Sequence, residues 1–240
     1  RTHLIQLLVS APTESTALVN DISLLIDDAY IDVISEEIFE DRDWIKHSKK
    51  QFTEIIISSR LRIIPPWIAD EGFSGETIMI EPGSGFGIGS HPTTQLCIRW
   101  IENQLSINDK VLDYGCGSGI LSIISKRLGA KNVIGIDNDH QALRNAERNK
   151  QLNSMEIDFF HTDNYQGSLK YDIVIANILL NTIINLKDIL LGSLNPNGIL
   201  LLTGILKDQA IELISAFSPE INLSIIEEQE GWLLFQGKKS

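Results

Sequence analysis

The sequence predicts an α/β fold, in which one domain built on a mostly parallel sheet follows a short N-terminal α/β appendage. Three observations carry this reading. From Lys110 onward, apolar runs of four to seven residues alternate with helical segments, the pattern of strands joined by crossover helices and covered on both faces. A glycine-rich turn at 115–119 follows directly on one of these runs. The last two runs are separated only by Glu228 to Gly231, which is hairpin spacing, so the sheet should end on an antiparallel strand.

Along the chain, Leu4–Val9 reads as a short strand, and Ser15–Asp27 places Leu18, Ile22, Leu25 and Ile26 at helical spacing. Ile31–Ile34 reads as a second strand. This region of about forty residues is too small to hold a core of its own. Glu36–Lys50 is a charged segment read as a connecting helix around Trp44. The organisation expected is an N-terminal recognition region over 1–42, a linker helix over 43–58 and the main domain over 59–240. Strand-like runs at Glu54–Ser58 and Arg60–Ile64 precede Pro65-Pro66. In the main domain seven runs read as strands: Lys110–Tyr114, Asn132–Ile136, Glu156–Phe160, Asp172–Ala176, Gly198–Thr203, Asn222–Glu227 and Trp232–Gly237. Leu121–Leu128 and Gln141–Gln151 read as helices between them.

A hydrophobic fraction of 43% in 240 residues is enough for a proper core. Thirty-two acidic against twenty basic residues give a formal charge of −12. Phosphate backbones are held by clustered Lys and Arg, so no direct nucleic-acid binding is expected, and a small molecule or a basic protein suits the chain better. The two cysteines, Cys97 and Cys116, make no disulfide framework, and no Cys/His spacing matches a metal site. A reducing, cytoplasmic setting fits, and no metal is expected. The uncharged stretch Ile189–Leu206 is broken by Asn195-Pro196-Asn197-Gly198, a turn signal, so no membrane span is expected. No signal peptide is recognisable, and the chain opens on Arg1 rather than Met.

The central motif is Val111-Leu112-Asp113-Tyr114-Gly115-Cys116-Gly117-Ser118-Gly119-Ile120. Glycine suits this turn because the backbone must bend sharply and let a ligand approach with no Cβ in the way. The next strand ends in Asp137, twenty-two residues after Gly115, where a carboxylate can accept hydrogen bonds from both hydroxyls of a ribose. A nucleoside-containing cofactor is therefore expected. The dinucleotide fingerprint G-x-G-x-x-G is not met, since Ile120 stands at its last position and the third glycine comes one residue early. The D-x-G-x-G-x-G pattern instead resembles motif I of class I methyltransferases, a Rossmann-like fold, and implies S-adenosyl-L-methionine. Its acidic residues can meet the positive methionine portion.

Upstream lies Glu81-Pro82-Gly83-Ser84-Gly85-Phe86-Gly87-Ile88-Gly89-Ser90-His91-Pro92-Thr93-Thr94. Four glycines in seven residues make this a loop that closes over a ligand, with Thr93 or Thr94 expected to cap the helix that follows. The segment is similar to the P-G-x-x-F-G-T-G-x-H-P-T-T signature of the PrmA family, the methyltransferases of ribosomal protein L11. Further matches are Glu40–Trp44, Val111–Leu121, Gly135-Ile136-Asp137, Ala176-Asn177-Ile178-Leu179, Thr203-Gly204-Ile205-Leu206 with Gln209, and Gly231-Trp232. The resemblance spans roughly Glu40 to Lys238.

Carried over by position, the resemblance puts cofactor contacts at Thr94, Gly115, Gly117, Asp137 and Asn177, with Phe86 and Gly87 covering the cofactor and Asp163 on the adenine side. Asn177, at the end of an apolar strand, would also orient the substrate amine, since its side chain both donates and accepts. The resemblance implies a protein methyltransferase acting on lysine side chains and the N-terminal amine of L11, and a monomer is expected. Acceptors on another protein or a small molecule remain as the alternative, and a non-catalytic nucleoside-binding module ranks below them. Two departures stand out. Ile88 replaces the usual Thr of F-G-T-G, and about forty residues before Trp44 are fewer than a full recognition domain needs. His91 is expected to brace the loop rather than to move protons, and Cys116 to be a small packing residue.

Overall fold

A computed structural model describes residues 18–19, 52–83, 88–167 and 169–239 of the chain. The chain divides into two compact units, Arg1–Gln51 and Phe52–Ser240. In the first, only Leu18 and Val19 are described, and they are helical. The strands expected at Leu4–Val9 and Ile31–Ile34, the rest of the helix at Ser15–Asp27, and the segment Glu36–Lys50 lie outside the described residues. Of the linker helix expected over 43–58, residues 52–58 are described and are not helical.

The second unit opens with a three-stranded sheet of β1 (Ile55–Ile56), β2 (Leu61–Ile64) and β3 (Glu76–Met79). The β1–β2 pair is antiparallel and β2–β3 is parallel. Sequence reading missed β3, because its four residues bury only Ile78 and so leave no periodic signal. Arg62 of β2 is buried, and its charge is met by Glu54 at 2.6 Å and Asp70 at 2.7 Å, with the Phe73 ring beneath it. A buried guanidinium without such partners would be costly.

The main sheet contains β4 (Lys110–Tyr114), β5 (Asn132–Asp137), β6 (Asp158–His161), β7 (Tyr171–Asn177), β8 (Leu194–Leu206), β9 (Leu223–Gln229) and β10 (Trp232–Lys238). Their spatial order is β6-β5-β4-β7-β8-β10-β9. The first five run parallel, and β10 lies antiparallel between β8 and β9, as the hairpin spacing predicts. The helices are α1 (Pro92–Gln104), α2 (Ile120–Arg127), α3 (His140–Leu152), α4 (Leu180–Asn185), α5 (Lys187–Ser193) and α6 (Ala210–Phe217).

Successive strand residues point to opposite faces, and here both faces are covered. Val111, Ile173, Ile175 and Leu201 enter one core with residues of α1 and α2. Leu112, Val174, Ala176, Leu200 and Leu202 enter the other with residues of α4, α5 and α6. This double burial is why the strands read as continuous apolar runs rather than alternating ones.

One turn signal is absorbed rather than expressed. Tyr171 of β7 pairs with Leu194 and Ile173 with Ile199, so Asn195–Gly198 bulge out within β8. Asn197 takes a positive φ of 64° there, and its N–H donates to the Lys239 carbonyl. The turn residues thus interrupt the register without ending the strand.

Candidate functional site

Strands β4 and β7 are neighbours in space but not in sequence, which makes the gap between them the switch point of the sheet. In open α/β sheets ligands bind outside the carboxyl ends of strands at such a point. The register places the relevant ends together: Asp113 pairs with Gly135 and Ile175, Tyr114 with Ile136, and Asn177 with Thr203. The glycine loop after β4, Asp137 at the end of β5 and Asn177 at the end of β7 therefore face the same rim.

The loop bends through positive φ at Gly115 (80°), Gly117 (54°) and Gly119 (77°), a region that L side chains resist. Close packing sets a second requirement. A Cβ on Gly115 would come within 2.4 Å of the Ile178 Cγ2, and one on Gly204 within 2.3 Å of the Ile178 carbonyl oxygen. Ile178, directly after Asn177, is thus clamped between Gly115 of the glycine loop and Gly204 of β8.

Asp137 is held by its own protein. Its Oδ2 accepts from the Gly117 N–H at 2.8 Å and its Oδ1 from the Asp139 N–H at 3.0 Å. Each carboxylate oxygen has a second lone pair, so two further donors can be accepted without breaking either bond.

Asp113, the motif's first acidic residue, is buried beneath the loop. Its Oδ2 accepts from both the N–H (3.0 Å) and the hydroxyl (2.7 Å) of Ser122, satisfying one of the open amides of the first turn of α2. Burial pushes its carboxyl up to about 6, against the pull of the two Ser122 bonds and with a smaller push from the Asp137 charge. Its visible work is to anchor α2.

The cap of α1 differs from the expected one. His91 is the N-cap, accepting at Nδ1 from the Thr93 N–H (3.3 Å), with Pro92 at the first helical position. The Thr93 hydroxyl lies 2.7 Å from the same nitrogen. Proline needs no amide partner there, and imidazole before it is held extended to reach back. Burial lowers the His91 pKa, partly offset by the Glu230 charge, which favours the neutral acceptor form. The ring meets Trp232 edge-on at 5.1 Å. His91 thus caps α1 and packs on Trp232.

Thr94 is fully buried, and its hydroxyl accepts from the Asn177 Nδ2 at 3.5 Å, so the helix after the signature reaches the end of β7. Asp163 sits in a short 3-10 turn, its side chain 85% exposed and 3.4 Å from the His161 Nδ1. His161 in turn stacks on His140, with ring centres 4.2 Å apart. Phe86 and Gly87 lie outside the described residues. Cys116 is buried, which pushes its thiol well up; a thiolate is disfavoured there.

Two open clefts, of about 520 and 470 Å3, are lined along α3 and around Arg127, and neither includes the glycine loop, Asp137 or Asn177. The strand topology marks the candidate site. Among the described residues, no group of three or more His, Cys, Asp or Glu could hold a metal, and no helix is long and apolar enough to cross a membrane.

The family model described as ribosomal protein L11 methyltransferase (PrmA) matches residues 2–240. The chain belongs to this family. The ribosomal protein L11 methyltransferase of Chromobacterium violaceum is 41% identical over 205 residues, covering 85% of this chain and 68% of that protein. A relative of the same name in Neisseria meningitidis serogroup C is 41% identical over 204 residues, with the same shares covered. Among solved structures, the ribosomal protein L11 methylase of Lactobacillus delbrueckii subsp. bulgaricus aligns with a TM-score of 0.73 at 29% identity, covering 79% of this chain and all of that one. A Pyrococcus furiosus methyltransferase aligns at 0.59 and 15% identity, covering 68% of this chain and 89% of that one, a likeness of fold alone. The PrmA family and its class I methyltransferase fold imply S-adenosyl-L-methionine as the methyl donor.

Proposed function

We propose that the protein transfers methyl groups from S-adenosyl-L-methionine to amines of ribosomal protein L11, at lysine side chains and the N-terminal amine. The observation that carries this reading is the shared rim at the switch point, where the loop of positive-φ glycines, Asp137 and Asn177 converge. Those residues fit an adenosyl cofactor. Side chains at 115 and 119 would strike Ile178 and Phe159, so glycine is what lets the loop keep its bend, and the remaining lone pairs of Asp137 suit two ribose hydroxyls. Thr94 and Asn177 would contact the cofactor from the other side, with Phe86 and Gly87 covering it and Asp163 next to the adenine.

When bound, the cofactor supplies an electrophilic methyl on a sulfonium. The protein's own task is positioning. In-line attack needs the acceptor nitrogen held close, and orientation can contribute much of the rate. A lysine amine is mostly protonated in water, with pKa ≈ 10.4, and a low-dielectric mouth lowers that value. Asn177 would hold the neutral amine through its carbonyl oxygen while its amide group keeps the bond to Thr94. No dedicated strong base is needed in this scheme. The net charge of −12 suits a basic protein substrate by electrostatic steering. The region before residue 43 would serve in recognition, and the chain would act as a monomer in the cytoplasm.

The test is incubation with S-adenosyl-L-methionine and purified L11, followed by intact-mass and peptide measurement. The expected result is a gain in steps of one methyl group, mapped to lysine and the N-terminal amine. Turnover of the cofactor with no mass gain on L11 would refute the substrate assignment.

A further inference from the structure

Three asparagines of α3 and its end, Asn145, Asn149 and Asn153, recur every fourth residue and so share one helix face. They meet the outer edge of the chain leaving β3. Asn153 accepts from the Met79 N–H at 2.9 Å and donates to the Met79 carbonyl at 2.7 Å. Asn149 accepts from the Glu81 N–H at 2.8 Å, and Asn145 donates to the Glu81 carbonyl at 3.2 Å. Residues 79 and 81 are alternate positions of an extended chain, whose inner partners go to β2, as the Ile80 N–H does to the Ile64 carbonyl. A helix face thus stands in for a fourth strand.

Asn149 does one thing more. It is fully buried, and its Nδ2 donates to the Ser118 carbonyl at 2.9 Å. One amide side chain therefore ties the glycine loop to Glu81, the residue that enters the Gly-rich signature. The neighbouring Gly83 runs so close to α3 that a Cβ there would lie 2.8 Å from Asn145.

We propose that Asn149 is a positioning residue for the cofactor, setting the glycine loop and the start of the signature loop relative to one another. It touches no reacting atom and acts through Ser118 and Glu81. The inference rests on the reading that residues 115–119 hold S-adenosyl-L-methionine. Asn153 provides the internal control, since its side chain makes three bonds, against two for Asn149, and none of the three goes to the glycine loop.

The experiment compares Asn149→Ala and Asn153→Ala in the full chain by chemical denaturation, by calorimetric titration with S-adenosyl-L-methionine, and by amide hydrogen exchange without cofactor. Both variants should lose stability. Only Asn149→Ala should weaken the cofactor Kd, by about tenfold, the equivalent of one well-made hydrogen bond, and only it should speed exchange at the Gly117 and Gly119 amides. If Asn149→Ala does not fold, Asn149→Ser carries the same comparison. Equal Kd values for the two variants, or an unaltered glycine loop in the Asn149 variant, would overturn the proposal. Failure of the unsubstituted protein to bind the cofactor would instead overturn the cofactor reading, and this inference with it.

Discussion

The Gly117 amide donates to the Asp137 carboxylate at 2.8 Å, so the glycine loop is tied to the tip of the neighbouring strand within the protein itself. The same carboxylate holds the Asp139 amide at the start of α3. Asp137 therefore shapes the loop and still has lone pairs left over.

Replacing Asp137 with Ala should remove both the loop tie and the proposed ribose contact. A charged hydrogen bond is worth about 1.5–3 kcal/mol, so calorimetry should show the cofactor Kd rising by about 10- to 100-fold, with a fall in melting temperature. A Kd within twofold of the original would show that Asp137 only ties the loop.

The clamp on Ile178 makes a sharper prediction. Ala at Gly115 would strike the Ile178 side chain, whereas Ala at Gly204 would strike its backbone. Each should destabilise the protein by about 2 kcal/mol or more, from positive φ and overpacking together. Adding Ile178→Ala should recover part of the loss for Gly115→Ala and none for Gly204→Ala, as read by denaturant unfolding. Equal recovery in both would contradict the clamp.

Asn177 should separate chemistry from binding. Asn177→Ala is expected to lower the single-turnover methyl-transfer rate by about 100-fold, as misorientation of reactants does, while the cofactor Kd changes by about threefold at most. A larger loss in Kd than in rate would assign Asn177 to the cofactor alone.

His91 caps α1 and packs on Trp232. His91→Ala should cost about 1 kcal/mol of stability, and His91→Asn, a good N-cap, should restore most of it. The single-turnover rate of His91→Asn should match that of the unsubstituted protein. A large rate loss in that variant would make the imidazole a proton carrier.

Asp113 predicts a pH dependence. Its carboxyl, raised by burial from 3.8 to about 6, binds its proton more tightly folded than unfolded. Stability from this group is therefore full at low pH and declines as pH rises through that window, by about 3 kcal/mol at 1.36 kcal/mol per unit. Asp113→Asn removes the titration, so its stability relative to the unsubstituted protein should grow from pH 4 to above pH 6. A constant difference across that range would contradict the assignment.

Much of the main sheet was legible because its strands are buried on both faces and read as unbroken apolar runs, from Val111-Leu112 to Leu200–Leu202. The glycine spacing and Asp137 were legible for a different reason, since local backbone needs are written locally. What stayed hidden depends on contacts between distant segments. The asparagine face of α3 looks like ordinary helix surface until Met79 and Glu81 lie against it. The four residues of β3 carry too short a pattern, and His91 displaced Thr93 as the cap because Pro92 sets where the helix begins. Asn195–Gly198 read as a turn, but pairing on both flanks keeps β8 continuous around it.

A crystal structure with S-adenosylhomocysteine tests the central claim most directly. The expected result is a ribose with both hydroxyls on the Asp137 carboxylate, the backbone of 115–119 against the amino-acid portion, and the sulfur facing Asn177. Ligand density elsewhere on the domain, with Asp137 bonded only to the Gly117 and Asp139 amides, would contradict it.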